Sequence, residues 1–212
     1  MGLRYFQRLM DILSRPSQFY AKAQKRQLIA DRQKQFNWAM WFVLITYGLT
    51  SVISGLITLF GGALMGTLGY NAVWIPVQIL LTIIIGFIVS FVWVAFVHLF
   101  VILFKGIEGY KETYRASAYA HAPIIPTMVL GTLFSLIPVI GIILQYLISI
   151  IAFIWTAVIE VQGLKTLQKL STGKSVASLL LPFVLLFLIG IFIFILLVAF
   201  FTTFIFGLLG IA

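Results

Sequence analysis

Residues Ser178–Phe206 have the sequence SLLLPFVLLFLIGIFIFILLVAFFTTFIF. This stretch carries no charge and has no polar face that a helix could turn toward water. Ile79–Phe104 is a second run of the same character. A helix rises about 1.5 Å per residue and the hydrocarbon core of a bilayer is about 30 Å thick, so each run can cross it. The strands of a membrane barrel would be about ten residues long and would alternate apolar with polar residues, so these continuous runs predict helices.

Composition excludes a water-soluble fold. The chain is 62% hydrophobic and 9% charged, whereas soluble domains are about half apolar and about a quarter charged. It contains no cysteine, which excludes disulfides, thiolate chemistry and palmitoylation. No closely spaced set of His, Asp and Glu residues marks a catalytic centre, so we expect no enzymatic activity and no cofactor.

We therefore predict an all-α integral membrane protein with five transmembrane helices. A basic segment, residues 1–36, precedes a membrane domain, residues 37–212. The third span is short and rich in proline, and Ile137-Pro138 turns the chain into the fourth, so the two either cross the bilayer or form a short re-entrant hairpin. The predicted spans are Asn37–Phe60, Val73–Phe104, Tyr119–Leu136, Val139–Val161 and Val176–Phe206.

Charge placement predicts the orientation. Residues 1–36 hold eight Lys and Arg residues, Lys105–Arg115 holds three more, and Lys165, Lys169 and Lys174 lie in the last loop. The positive-inside rule places these segments in the cytoplasm, with the N-terminus inside and the C-terminus outside. The rule also explains the net charge of +9 without a nucleic acid partner. The remaining connections carry no charge: Gly61–Ala72, Ile137–Val139 and Gly207–Ala212.

The N-terminal segment has the pattern of an interfacial amphipathic helix. On a helix, Leu3, Phe6, Leu9, Met10, Ile12 and Leu13 share one half, opposite Arg4 and Arg8. Ser14 and Pro16 predict a stop and a restart, with Ser14 capping a second, polar helix that extends to about Phe36. The first helix binds the membrane surface or packs on the protein's own cytoplasmic loops. The residues that we expect to face anionic lipid headgroups are Arg4, Arg8, Arg15, Lys22, Lys25 and Arg26.

The central loop supplies a family resemblance. Gly106–Pro123, GIEGYKETYRASAYAHAP, resembles the signature loop of the Yip (Ypt-interacting protein) domain family. Further pieces follow in the family's order: PSQFY at Pro16–Tyr20, IPVIG at Ile137–Gly141, GLK at Gly163–Lys165 and STGKSVA at Ser171–Ala177. The residues that carry the resemblance include Gly106, Gly109, Tyr110, Arg115, Tyr119, Pro123, Pro138, Gly141, Gly163 and Lys174.

The resemblance implies a multi-pass membrane protein with a cytoplasmic N-terminus. In eukaryotic members it implies binding of small GTPases and membrane trafficking between endoplasmic reticulum and Golgi. This chain lacks their long acidic or proline-rich N-terminal region and looks more like the short prokaryotic members, which implies the cell (inner) membrane. A small GTPase partner is therefore expected only if the chain is eukaryotic-like.

Three ionisable residues approach the membrane interior at a similar predicted depth: His98, His121 and Glu160. Two imidazoles and a carboxylate could bind a divalent metal or relay protons if the helices bring them together. The alternative is that each satisfies a neighbouring backbone group or lies in the headgroup zone.

Two functions follow from these observations. The first is a non-enzymatic scaffold that organises membranes or recruits a protein partner through its basic cytoplasmic face. The second is a small transporter or channel, suggested by the interrupted third span and the shared depth of His98, His121 and Glu160. Helix pairing in a membrane needs only small residues and tight packing, so the sequence also leaves a homo-oligomer open.

Overall fold

The computed structural model of the chain describes residues 2–27, 32–64, 68–135, 137 and 139–208. These residues form eight α-helices, and β-strands are absent from the same ranges. The helices are α1 Gly2–Ser14, α2 Pro16–Gln27, α3 Arg32–Leu64, α4 Leu68–Leu103, α5 Tyr110–Ala120, α6 Ile124–Ser135, α7 Ile140–Leu167 and α8 Thr172–Leu208.

Four of the helices are long and apolar enough to cross a membrane. They are α3, α4, α7 and α8, with 33, 36, 28 and 37 residues. Pro76 and Pro182 lie inside α4 and α8 without ending them. The chain is therefore an integral multi-pass membrane protein, and four of the predicted spans are confirmed as long apolar helices. The apolar stretches are Arg32–Phe60, Ala72–Leu103, Ile140–Leu167 and Thr172–Phe204.

The third predicted span is not one helix. Within this predicted span, Tyr119–Leu136, α5 ends at Ala120, the chain turns at residues 121–123, and α6 begins at Ile124. Pro123 has no N–H to donate and restricts the residue before it, which accounts for the break. α6 has 12 residues and is about 18 Å long, which is shorter than a bilayer crossing. It packs along α7, the helix that follows it.

The N-terminal helices confirm the predicted restart but not the predicted cap. α1 ends at Ser14 and α2 begins with Pro16, a residue that suits the first helical position. The Ser14 hydroxyl donates to the carbonyl of Met10, 2.7 Å away, so it closes α1 instead of capping α2. The prediction that α2 extends to about Phe36 is wrong, because α2 ends at Gln27 and the residues from Arg32 already belong to α3.

The charged segments meet at one end of the bundle. The Arg32 guanidinium lies 3.0 Å from the Glu108 carboxylate, and Lys169 Nζ lies 3.9 Å from it. Lys174 Nζ donates to the Phe104 carbonyl at 3.4 Å. We call this part the charged end: α1, α2, residues 32–51 of α3, residues 90–109, α5, and residues 159–179. The apolar end comprises α6 and residues 52–64, 68–89, 140–158 and 180–208.

The packed core lies at the charged end. Its buried residues come mainly from α1, α2, α5 and the adjoining ends of the long helices, with Ala122 just before α6 and Ile125 at its start. Aromatic rings fill much of it: Tyr119 packs edge to face on Phe19 and on Phe42, with ring centroids 5.0 and 5.3 Å apart. The apolar end instead leaves its large side chains exposed, as with Phe194 at 67%. Such a surface suits lipid, which satisfies apolar side chains without a protein partner.

Candidate functional site at the charged end

Helix α5 is a polar helix buried in the middle of the charged end. All of its residues from Glu112 to Ala120 are buried, although its sequence is YKETYRASAYA. It packs against α3, α4 and α7. Burying polar groups without partners costs a few kcal/mol each, so the partners of these side chains determine how this part of the molecule is built.

An ion pair lies on α5 itself. Arg115 donates through Nη1 to Glu112 Oε2, one turn away, and both side chains are only 2% exposed. The pair leaves two atoms without a hydrogen-bond partner among the described residues, Glu112 Oε1 and Arg115 Nε. A buried pair of this kind is costly to break, because either group alone would be an uncompensated charge.

Gln168 links the loop after α7 to the segment that precedes α5. Its side chain is fully buried. Its Nε2 donates to the Gly109 carbonyl at 3.1 Å and to Thr113 Oγ1 at 2.9 Å. Its Oε1 accepts from the Glu108 N–H at 3.1 Å. One side-chain amide thus connects the end of α7 to Glu108 and Gly109 and to the first turn of α5.

Glu160 of α7 joins three helices. Its carboxyl group accepts a hydrogen bond from the Ser117 hydroxyl of α5 and another from the Trp93 side chain of α4. The residue is 4% exposed. These bonds account for a buried carboxyl in a long apolar helix and give it a packing role.

The two histidines have partners of their own. His98 Nδ1 lies 2.8 Å from Thr113 Oγ1. His121 Nδ1 lies 2.8 Å from the Ser117 carbonyl, and its ring packs edge to face on Tyr47 at 5.6 Å. Within the described part of the chain, no group of three or more His, Cys, Asp or Glu side chains is placed to hold a metal ion. The metal hypothesis for His98, His121 and Glu160 therefore has no support there.

A close approach holds α2, α5 and α7 together. The Tyr20 hydroxyl donates to the Ala116 carbonyl at 2.9 Å. A Cβ on Gly163 would lie 2.8 Å from the Ala116 Cβ and 2.8 Å from the Tyr20 ring, closer than atoms can pack. Only glycine lets α7 lie this near to α5, so the Gly163 of the sequence motif serves helix packing.

The other motif residues also lie mainly in structural contacts. Tyr110 donates its hydroxyl to the Phe91 carbonyl at 2.9 Å, and Gly106 packs against Val101 and Gln168. The Pro123 carbonyl accepts a hydrogen bond from the Thr127 hydroxyl at 2.6 Å, and the Gly141 N–H donates to the Ile137 carbonyl at 2.8 Å.

Gly109 precedes α5 and has open space where a Cβ would be. Pro138 lies outside the described residues. Arg115, Tyr119, Gly163 and Lys174 have the contacts given above.

The cations predicted to face lipid lie on α1 and α2. Arg15, Lys22 and Lys25 are exposed, whereas Arg8 is half-buried with its guanidinium 4.6 Å from the Trp38 ring centroid. The side chains of Arg4, Arg26 and Leu3 lie outside the described residues.

The apolar half of α1 is divided between two surroundings. Leu9 and Ile12 are buried, together with Tyr5, whose hydroxyl lies 2.8 Å from Thr46 Oγ1 of α3. Phe6 and Met10 are 53% and 63% exposed. α1 therefore contacts the membrane-crossing helix α3 through Tyr5 and still presents apolar side chains outward.

Sequence reasoning missed the residues that organise the interior of the charged end. The Glu112–Arg115 pair has a local signal, because opposite charges three residues apart face each other on a helix. Gln168, Thr113 and Ser117 have none, since their partners are distant in the sequence.

A comparison with known families supports the resemblance. The Yip1 domain matches residues 10–195. This range contains every sequence motif noted above. No curated protein and no solved structure matches the chain.

Proposed function

The chain belongs to the Yip1 domain family, and from that premise we propose that it is a non-enzymatic membrane scaffold that recruits acidic surfaces to its charged end. The acidic surface belongs to a protein partner or to a neighbouring membrane. The observation that carries this proposal is the division of charges at this end. Glu112, Arg115 and Glu160 are buried in structural bonds, while Arg15, Lys22 and Lys25 are exposed on the outside.

α1 supports a position in the headgroup region for this surface. Its buried face contains Tyr5, Leu9 and Ile12, with Tyr5 bonded to α3, whereas Phe6 and Met10 are exposed. Exposed apolar side chains beside cations are typical of helices that lie in the membrane interface. A helix anchored in this way would hold the cations of α1 and α2 close to the bilayer.

We propose a topology of five crossings with the charged end in the cytoplasm. Both the loop before α5 and the loop after α7 lie at the charged end, as the contact between Glu108 and Lys169 indicates. Ile137 lies beside the start of α7, since its carbonyl accepts the Gly141 N–H at 2.8 Å. In the proposed topology the chain passes from one end to the other along α5 and α6 together. The positive-inside rule assigns the charged end to the cytoplasm.

The transporter alternative has less support. Glu160, His98 and His121, the residues that suggested it, each have a hydrogen-bond partner in a neighbouring turn or helix. The cavity between α3 and α4 is lined mostly by apolar residues, including Trp74, Val77 and Leu81. Proteoliposome flux that disappears with Glu160→Gln would restore this alternative, provided that the variant remains folded.

The scaffold function can be tested by tethering. Proteoliposomes carrying the full chain should bind vesicles that contain phosphatidylserine, and less so at high salt, because exposed charges are screened. The variant Arg15→Gln/Lys25→Gln should weaken binding by about 2 kcal/mol, or roughly thirtyfold, at about 1 kcal/mol per cation. The charge-retaining variant Arg15→Lys/Lys25→Arg is the matched control. Equal tethering by the neutral and charge-retaining variants would contradict the proposal.

A further inference from the structure

A partly open cavity bounded by α1, α2, α3 and α5 lies at the charged end. It has a volume of about 260 Å³, whereas one water molecule needs about 10–15 Å³ on a comparable measure. The cavity is therefore large enough for a polyatomic ligand. We call it the basic cavity, after the cations that line it: Arg8, Lys22, Lys34 and Arg115.

The charge around the basic cavity is positive. Asp11 is the one carboxylate among the described residues that line it. Glu112 is not among the residues that line the cavity, but it pairs with Arg115. Counting both carboxylates against the four cations leaves an excess of two positive charges. Like charges gathered around one space repel each other unless an anion enters it.

Two buried donors at the basic cavity have no partner among the described residues. They are Arg115 Nε and Gln35 Nε2, and both residues line the cavity. Arg115 is 2% exposed, so water outside the protein does not satisfy its guanidinium. An unmet buried donor costs about 1 to 3 kcal/mol, more when it is charged. A ligand that accepts hydrogen bonds would remove both penalties.

The arrangement of donors favours a phosphate group. Cations reach the cavity from α1, α2, α3 and α5, that is, from several directions. A tetrahedral phosphate presents oxygens in several directions, whereas a planar carboxylate accepts in one plane. Arginine and lysine are also the usual partners of phosphate. Trp38, near the start of α3, lies beside the cavity, and tryptophan typically marks the level of lipid headgroups.

We propose that the basic cavity binds one phosphate group, supplied by a phospholipid headgroup or by free inorganic phosphate. This inference deepens the proposed function, since the site lies on the same charged end. The two can fail separately, because tethering depends on Arg15 and Lys25, which do not line the basic cavity. Diffuse attraction to acidic surfaces needs no cavity, whereas this site should bind a single group saturably.

The test uses the full chain purified in an uncharged detergent. It is titrated with dihexanoyl phosphatidic acid, with inorganic phosphate and with dihexanoyl phosphatidylcholine. Lys22→Gln/Lys34→Gln removes two cations from the basic cavity, and both side chains are exposed, so the fold should persist. Lys105→Gln/Lys165→Gln removes the same charge from exposed positions outside the cavity. Gln35→Leu removes one of the unmet donors and leaves the net charge unchanged.

We expect the unmodified chain to bind phosphatidic acid or inorganic phosphate saturably. Lys22→Gln/Lys34→Gln should bind at least about tenfold more weakly, because the loss of one charge-assisted hydrogen bond lowers the affinity by about tenfold. Gln35→Leu should also weaken binding, and the control variant should not. Tighter binding of phosphatidic acid assigns the site to a lipid headgroup, and equal or tighter binding of inorganic phosphate assigns it to the free ion. The proposal would be overturned if neither phosphatidic acid nor inorganic phosphate bound saturably. It would also be overturned if the control variant lost as much affinity as Lys22→Gln/Lys34→Gln.

Discussion

The charged end and the apolar end keep their helices in place by different means. At the charged end, a buried network joins α4, α5 and α7 through Glu160, Ser117 and Gln168. At the apolar end, α8 exposes its large side chains, and lipid supplies the surroundings. The difference indicates that hydrophobicity inserts this chain into a membrane, whereas specific polar contacts determine how its helices are arranged. Substitutions should therefore have their large effects at the charged end.

The largest effect is expected from Arg115→Met. The substitution leaves Glu112 as an unpaired buried charge, and breaking such a pair costs about 3 to 5 kcal/mol. The measurement is the free energy of unfolding in mixed micelles with increasing SDS. The double variant Glu112→Leu/Arg115→Met should recover most of the loss, because no charge remains buried. At the apolar end, Phe194→Leu should change little. A double variant no more stable than the single one would contradict the role of the pair.

Gly163→Ala should have an intermediate effect. The added Cβ would meet Ala116 and the Tyr20 ring at 2.8 Å, and overpacking of this kind costs about 1 to 3 kcal/mol. Gly190→Ala is the matched control in α8, where nothing lies within 4 Å of the added Cβ. Alanine there should be neutral or stabilise the helix by up to about 1 kcal/mol. Thermal unfolding in detergent measures whether each alanine lowers or raises the unfolding midpoint. Equal midpoints would show that the close approach at Gly163 does not restrict packing.

The smallest effect is expected at the end of α4. Lys105 has a φ of 64°, and the N–H groups of Lys105 and Gly106 donate to Ile102 and Val101 at 2.9 and 2.8 Å. This is the helix ending that usually contains glycine in the left-handed conformation. Lys105→Gly should therefore stabilise the fold by about 1 kcal/mol. Lys105→Ala removes the same charge but keeps the Cβ and should bring no gain. A similar gain in stability from both variants would show that the loss of the Lys105 charge, and not the change of backbone preference, stabilises the fold.

Local patterns in the sequence predicted the apolar end well. A run such as Ser178–Phe206 must be a helix in lipid because every backbone group needs an internal partner. The four long helices therefore follow from average hydrophobicity alone. The restart at Pro16 also follows from a local rule, the preference of proline for the first helical turn.

The same reasoning failed at the charged end, where distant contacts decide the structure. The sequence predicts a charged connection over Lys105–Arg115, yet α5 begins at Tyr110. Its polar side chains are buried because Glu112 pairs with Arg115 and Thr113 with Gln168. Thr113 and Gln168 are 55 residues apart, and no local pattern reveals such a contact. The basic cavity was missed for the same reason, since four separate helices line it.

The arrangement of all ionic segments at one membrane face can be tested directly by cysteine labelling. The chain has no native cysteine, so each introduced thiol reports a single position. Lys25→Cys, Lys111→Cys and Ala63→Cys would be treated with a membrane-impermeant maleimide in sealed vesicles, before and after permeabilisation. We predict that positions 25 and 111 label together from the cytoplasmic side and that position 63 labels only from the other side. Labelling of position 111 from the same side as position 63 would contradict the account.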